Sequence, residues 1–244
     1  MNSPHTPHLS PYPDPMIESR PFSHSLISVC ATIGSAIALL FLVFIFQPQP
    51  DRGEKSQPYN RLNGTQPLVM EGGDPYIRAL MRTITASEAN DPEPYTIIYG
   101  GRRVTDLSQH PEWCVPIVVG PNTGNCTTAA GRYQFINTTW YEKAERYHPR
   151  PSGLFWWTTY SFEPQYQDAV VYQWLKDPNA WNTNISEMLQ AGKIHDVLRL
   201  LSGTWTSLGY GIETNSMSDR LPAIYQNMLQ EELQQREEDT QTVG

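Results

Sequence analysis

The chain has 244 residues, 39% of them hydrophobic, which is enough for one globular domain with appendages and unlike a collagenous or wholly disordered composition. Its formal net charge is −8, and half of that sits in the last turns, where Glu231, Glu232, Glu237, Glu238 and Asp239 outweigh Arg236. No run of Lys and Arg could follow a phosphate backbone, so the balance argues against nucleic acid as a partner.

Residues 1–25 carry Pro4, Pro7, Pro11, Pro13 and Pro15 among polar neighbours, too little apolar surface to offset chain entropy, and read as a disordered cytoplasmic tail. From Leu26 to Phe46 the chain is uncharged and rich in Leu, Ile, Val, Phe and Ala. As a helix this stretch spans roughly 30 Å, so it is expected to cross the hydrocarbon core of a lipid bilayer once. A cleaved signal peptide is the competing reading, but Gln47, Pro48, Gln49 and Pro50 follow where a small-residue cleavage site would be needed. The flanking charges, Arg20 before against Arg52, Lys55 and Arg61 after, favour the orientation that keeps the following domain inside.

Cysteine usage points the other way. Cys114 and Cys126 bracket a segment rich in Gly, Pro, Asn and Thr, a spacing that a disulfide closes readily in an oxidising compartment. Such a closure stabilises the fold by roughly 3 kcal/mol in the chain-entropy model. Two free thiols, or a zinc site, are the alternatives, and zinc has only His110 nearby where a structural site wants four ligands. No metal and no organic cofactor is expected. The domain is therefore placed on the extracytoplasmic side, held to the plasma membrane by residues 26–46.

Residues 47–73 read as a flexible linker, able to reach at most roughly 90 Å when fully extended. The folded domain is expected over 74–235, with 236–244 as an acidic tail. Asp74 and Pro75 offer an N-cap and a first-turn proline, and Ile77, Leu80, Met81 and Ile84 then share one helical face. One more turn along that face lies Glu88. Tyr95–Tyr99 and Arg102–Asp106 read as two strands joined by Gly100 and Gly101, a pair suited to a tight hairpin turn. Helices are predicted at Thr138–Tyr147, Gln165–Leu175, Ile194–Leu201 and Leu221–Gln235. The fold class is α+β, mainly helical, with a small β-hairpin lobe.

A carboxyl group at the end of an apolar helix face is partly withheld from water, which favours the protonated form that a general acid needs. Pattern alone fits a solvated helix-end glutamate as well. A second argument comes from the motif order. Ala86-Ser87-Glu88, Tyr99-Gly100-Gly101, Val104-Thr105-Asp106, Ser108-Gln109-His110-Pro111 and Ala129-Ala130-Gly131-Arg132-Tyr133-Gln134 together resemble the lambdoid phage endolysin family of glycoside hydrolases. Phe162-Glu163-Pro164 with Gln167-Asp168-Ala169-Val170, then Leu201-Ser202 with Trp205-Thr206-Ser207-Leu208, extend the likeness toward Gln235.

The resemblance implies a lysozyme-like domain, peptidoglycan glycan strands as the partner, and cleavage between N-acetylmuramic acid and N-acetylglucosamine with Glu88 as catalytic acid. It further implies a lytic transglycosylase that leaves a 1,6-anhydromuramoyl end. A hydrolysing muramidase would use water and a second carboxylate, about 5–5.5 Å away for retention, for which Asp106 is the candidate. A non-catalytic peptidoglycan-binding module is the third reading. Tyr133 and Gln134 are expected to contact sugar, since a pyranose offers an apolar face to a flat ring and a polar rim to an amide. Asp106 and His110 are further substrate-binding candidates. Each has a structural alternative: Asp106 as a turn-former, Tyr133 as a core residue, His110 as a residue of the turn before Pro111. Trp205 and the Phe155-Trp156-Trp157 cluster read as packing aromatics. Ala89 stands where the family leads one to expect Gly. The segments from Cys114 to Cys126 and from Pro151 to Ser161 look longer than in the phage enzymes. No protein partner is indicated.

Overall fold

In a computed structural model of the protein, the residues described are 64–118, 122–154, 157–210 and 216–242. All belong to the compact unit Ser56–Gly244. The tail, the expected membrane span at 26–46 and linker residues 47–63 lie outside the described residues. Among the described residues no helix is long and apolar enough to cross a membrane.

The first helix, α1 (Pro75–Glu88), starts where the sequence places it. The Asp74 side chain accepts the Tyr76 N–H at 2.9 Å, and Pro75 fills the first helical position, where its missing N–H costs nothing. Ile77, Leu80, Met81 and Ile84 have no exposed surface, a burial that stabilises by about 1.5–3 kcal/mol per side chain. Ala79, Thr83 and Thr85 are buried as well, so α1 is the central helix of the domain rather than a surface one. It runs against the last helix, α7 (Leu221–Thr242), through Leu221, Ile224, Tyr225 and Met228. Two arginines of α1 enter the same seam. Arg78 meets Glu232, and Arg82 reaches Glu232 at 3.1 Å and Glu231 at 2.6 Å.

Between these lie α2 (Asn137–Tyr147), α3 (Pro164–Lys176), α4 (Pro178–Trp181), α5 (Ile185–Gln190) and α6 (Ile194–Leu201). The helical patterns predicted at these places agree with α2, α3 and α6 to within a residue or so. The two short helices α4 and α5 were not predicted. Their caps are nonetheless written in the chain: Asp177 accepts the Asn179 N–H at 2.9 Å ahead of Pro178, and Asn184 accepts the Glu187 N–H at 3.2 Å.

Three expectations are corrected. The linker does not extend to residue 73: Thr65 and Leu68 are buried, and Thr65 donates its hydroxyl to the Arg82 carbonyl at 3.0 Å. The last helix continues to Thr242, through the residues read as an acidic tail, because Glu, Gln and Arg are good helix formers with no need of a packed face. The hairpin at Gly100-Gly101 shrinks to single bridges.

In that hairpin, Gly100 and Gly101 adopt φ of +81° and +85°, as a tight turn requires. Ile97 stands opposite Arg103, Ile98 N–H donates to the Arg102 carbonyl at 2.8 Å, and Val104 N–H to the Thr96 carbonyl at 2.9 Å. Tyr99 N–H turns away to the Ala129 carbonyl at 2.9 Å, and Ile98 bridges Ala130, which in turn bridges Phe135. The lobe is thus a mesh of short pairings rather than two full strands.

The segments from Cys114 to Cys126 and from Pro151 to Ser161 each contain an antiparallel strand pair. Strands β1 (Val115–Pro116) and β2 (Cys126–Thr127) pair Val115 with Thr127 and Pro116 with Cys126. Strands β3 (Ser152–Leu154) and β4 (Trp157–Thr159) pair Ser152 with Thr159.

Candidate active site

Glu88 is the last residue of α1 and is half-buried. The helix stops there because Ala89 leaves the helical region at φ −146°, its N–H closing on the Thr85 carbonyl at 2.9 Å. That φ is negative and the Ala89 side chain is buried, so alanine suits a position where glycine was expected. Opposite the carboxylate stands a turn of 3-10 helix, Thr206–Leu208, and the Ser207 hydroxyl donates to Glu88 Oε1. Ser207 Oγ also lies 3.0 Å from Ser87 Oγ, and the Ser207 carbonyl accepts the Ser218 hydroxyl at 3.2 Å. A carboxyl group at a helix end, gripped by a hydroxyl from a remote turn, has a fixed direction.

The Ser207 turn is tied in its turn to the Gly131-Arg132-Tyr133-Gln134 segment, because Trp205 Nε1 donates to the Tyr133 carbonyl at 3.1 Å. Gly131 holds φ +72° where any Cβ would fall 2.3 Å from Gln167 Oε1. The next two side chains point into the core. Tyr133 is fully buried, and its hydroxyl donates to Asp168 Oδ1 at 2.6 Å. Burial holds that hydroxyl protonated far above the usual phenol range, with the Asp168 carboxylate adding to the effect. This corrects the expectation that Tyr133 touches sugar: its ring has no exposed surface to offer.

Arg132, also fully buried, donates to Thr85 Oγ1 at 2.9 Å, to the Tyr95 hydroxyl at 3.0 Å and to the Pro67 carbonyl at 2.8 Å, and it contacts the Gln66 carbonyl as well. Asp168 completes the network, accepting from Val69 N–H at 2.8 Å, Met70 N–H at 3.1 Å and the Tyr95 hydroxyl at 2.7 Å. Two buried ions, neither touching the other, are joined through Tyr95, and both hold residues 66–70 onto the domain. Every buried charge is met by several hydrogen bonds, as burial demands.

Gln134 is half-buried at φ +46°, its amide donating to the Gly131 carbonyl at 2.9 Å. Of Tyr133 and Gln134, it alone keeps exposed surface. His110 is 1% exposed and edge-on to Phe162, with ring centroids 4.8 Å apart. Its Nε2 lies 2.8 Å from the Phe135 carbonyl, while Nδ1 accepts the Glu112 N–H at 3.2 Å. That pair of contacts calls for the neutral imidazole protonated at Nε2, and burial lowers the His110 pKa in the same sense. His110 is therefore a buried loop anchor and corrects the expectation of a substrate contact. His148 repeats the device before Pro149: Nε2 is 3.1 Å from the Ser161 carbonyl, and Nδ1 accepts the Arg150 N–H at 3.2 Å.

Asp106 is exposed, and its Oδ1 accepts the Ser108 N–H at 2.9 Å. Hydrogen bonds from the Ser108 side chain and backbone hold the Asp106 carboxyl below the usual carboxylate range. Cys114 and Cys126 form the expected disulfide, with Cα atoms 5.3 Å apart at the base of β1–β2. Among the described residues no group of three His, Cys, Asp or Glu side chains could hold a metal ion. Ser207, Arg132 and Asp168 were not singled out from sequence, although each lies inside a quoted motif block.

A mainly helical domain whose central helix ends in a glutamate held by a serine hydroxyl is, by its sequence, an endolysin domain. The family model described as Endolysin matches residues 78–231, well over half of the chain, and the chain belongs to that family. The endolysin of Escherichia phage lambda is 33% identical over 120 residues, which are 48% of this chain and 64% of that protein, a little less than two thirds of its length. Among solved structures, bacteriophage lambda lysozyme complexed with a chitohexasaccharide is 27% identical with a TM-score of 0.48, covering 65% of this chain and 97% of that one. A further solved structure, of lysozyme from bacteriophage lambda, is 26% identical with the same TM-score and coverage.

Proposed function

We propose that this chain cuts the glycan strands of peptidoglycan between N-acetylmuramic acid and N-acetylglucosamine, with Glu88 as general acid and then general base. Membership of the endolysin family supports the reaction class, and the Ser207 hydroxyl on the Glu88 carboxylate is the observation that carries the assignment of residue. Glu88 gives its proton to the glycosidic oxygen as the bond to the muramoyl anomeric carbon breaks. The resulting carboxylate then takes the proton from the muramoyl C6 hydroxyl while that oxygen closes on the same carbon. The product is a 1,6-anhydro end, Glu88 returns to its protonated form, and no water enters.

A hydrolase of the retaining kind needs a second carboxylate beside the first. Asp106, the candidate for that part, is committed to the Ser108 N–H in an exposed turn, which favours the transglycosylase reading. Gln134 supplies the polar contact to substrate, and Tyr133 positions the segment it belongs to rather than touching sugar. Residues 26–46 tether the domain to the plasma membrane, on the strength of their uncharged apolar sequence alone.

Borohydride labelling of sacculi after incubation with the protein tests the reaction. A transglycosylase opens strands without creating reducing ends, so label incorporation stays at the level of untreated wall while soluble muropeptides accumulate. A rise in label that tracks the release would identify a hydrolase.

A further inference from the structure

The β lobe carries two adjacent arginines in opposite circumstances. Arg103 is committed: it donates to Asp91 Oδ1 at 2.6 Å and to the Glu93 carbonyl at 3.0 Å. Arg102 has no such partner. Among the described residues its guanidinium meets neither a carboxylate nor a hydrogen-bond acceptor, and instead lies over the indole of Trp113, 5.1 Å from the ring centroid. Trp113 is itself 48% exposed, unusual for the largest apolar side chain.

Neither residue is loosely held. Trp113 immediately precedes Cys114, whose disulfide to Cys126 closes the β1–β2 hairpin. Arg102 follows the Gly100-Gly101 turn, and its carbonyl accepts the Ile98 N–H at 2.8 Å. A cation held over an indole loses part of its side-chain freedom before any anion docks, and the Arg102 N–H groups are left without an acceptor among the described residues. A planar fork of this kind matches a carboxylate in two hydrogen bonds at once.

Resting on the peptidoglycan reading above, we propose that Arg102 and Trp113 form a subsite for the carboxylate-bearing peptide stems of peptidoglycan, with Arg102 taking the carboxylate and Trp113 the apolar face beside it. Peptidoglycan differs from an uncharged chitin-like strand by these carboxylates, and the pair selects for that difference. Charge complementarity carries the assignment. The chain as a whole has a net charge of −8 and would be repelled by an anionic wall. An uncommitted cation on a rigid, exposed aromatic offsets that repulsion at one place.

The test is co-sedimentation of the full chain, carrying Glu88→Gln so that the strands are not consumed, with intact sacculi and with the same sacculi after their carboxylates have been capped as neutral methylamides. Arg102→Gln should weaken binding to intact sacculi about tenfold and change binding to the capped sacculi by less than about twofold. Trp113→Ala should weaken both, and intact sacculi more. Arg102→Lys, which keeps the charge without the planar stack, should fall between Arg102→Gln and the parent. Equal losses of Arg102→Gln on both substrates, or no loss on either, would overturn the proposal. The Cys114–Cys126 disulfide and the thermal midpoint of each variant report whether it has folded. Binding that depends on Arg102 in a chain whose Glu88 parent cuts nothing would leave this subsite standing and remove the cleavage reading instead.

Discussion

The Ser207 hydroxyl donates to Oε1 of Glu88 across a sequence separation of 119 residues, from a 3-10 turn to the end of the central helix. A hydrogen bond to a charged group is worth about 1.5–3 kcal/mol in a protein. Its removal from a catalytic carboxyl group lets the side chain rotate away from the reacting bond. Ser207→Ala should therefore lower the rate of muropeptide release by roughly tenfold or more, with secondary structure and thermal midpoint close to the parent. Ser207→Thr, which keeps the hydroxyl, should recover most of the rate. Initial rates on purified sacculi, beside circular dichroism of each variant, decide it.

The seam between α1 and α7 makes a second prediction. Glu232 is almost wholly buried between Arg78 and Arg82, while the Glu231 side chain is 54% exposed. Removing the buried partner leaves Arg78 without a counter-charge and Arg82 with Glu231 alone, so Glu232→Ala should cost about 3–5 kcal/mol in urea unfolding. Glu231→Ala should cost less than about 1 kcal/mol, since a screened surface pair contributes little. A similar cost for both would show that the seam does not discriminate buried from exposed charge.

Acid should weaken the fold through its two anchored histidines. Burial lowers the pKa of His110 and of His148 in the folded state, so below the ordinary histidine value the unfolded chain binds protons that the folded one refuses. Stability is then full above about pH 6.5 and declines as pH falls from there toward the depressed folded values. The thermal midpoint should drop on going from about pH 7.5 to about pH 5.5, and His110→Gln should flatten part of that slope. A midpoint independent of pH over this range would contradict the neutral, Nε2-protonated assignment.

Gly131 and Gly203 should respond very unequally to alanine. At Gly131 the backbone has φ +72° and a Cβ would lie 2.8 Å from Phe162 and closer still to Gln167, whereas at Gly203 a Cβ would meet nothing within 4 Å. Gly131→Ala should destabilise by more than about 2 kcal/mol and Gly203→Ala by well under about 1 kcal/mol. Urea midpoints of the two variants test this directly.

Much of this was legible in the chain. The cap at Asp74-Pro75, the apolar face leading to Glu88 and the closure of Cys114 on Cys126 are local signals, set by neighbours a few residues apart. What escaped was set by distant partners. Residues 64–73 have the composition of a linker, yet Arg132 and Asp168, some 65 to 99 residues later, bind their backbone groups. Tyr133 looks equally suited to a sugar or to the core, and the hydrogen bond its hydroxyl donates to Asp168 decides in favour of the core. His110 could face either way until Phe135 and Glu112 claim both ring nitrogens. The hairpin at Gly100-Gly101 had the right turn but too much strand, because Tyr99 finds its partner in Ala129 rather than in its own hairpin.

The most direct test of the account is mass spectrometry of the soluble products released from purified sacculi by the full chain and by its Glu88→Gln variant. The account predicts 1,6-anhydro-muropeptides from the parent and none from Glu88→Gln, with the variant folded and still bound to the wall. Reducing-end muropeptides, heavier by one water, would contradict the transglycosylase assignment, and undiminished release by Glu88→Gln would contradict the role of Glu88 itself.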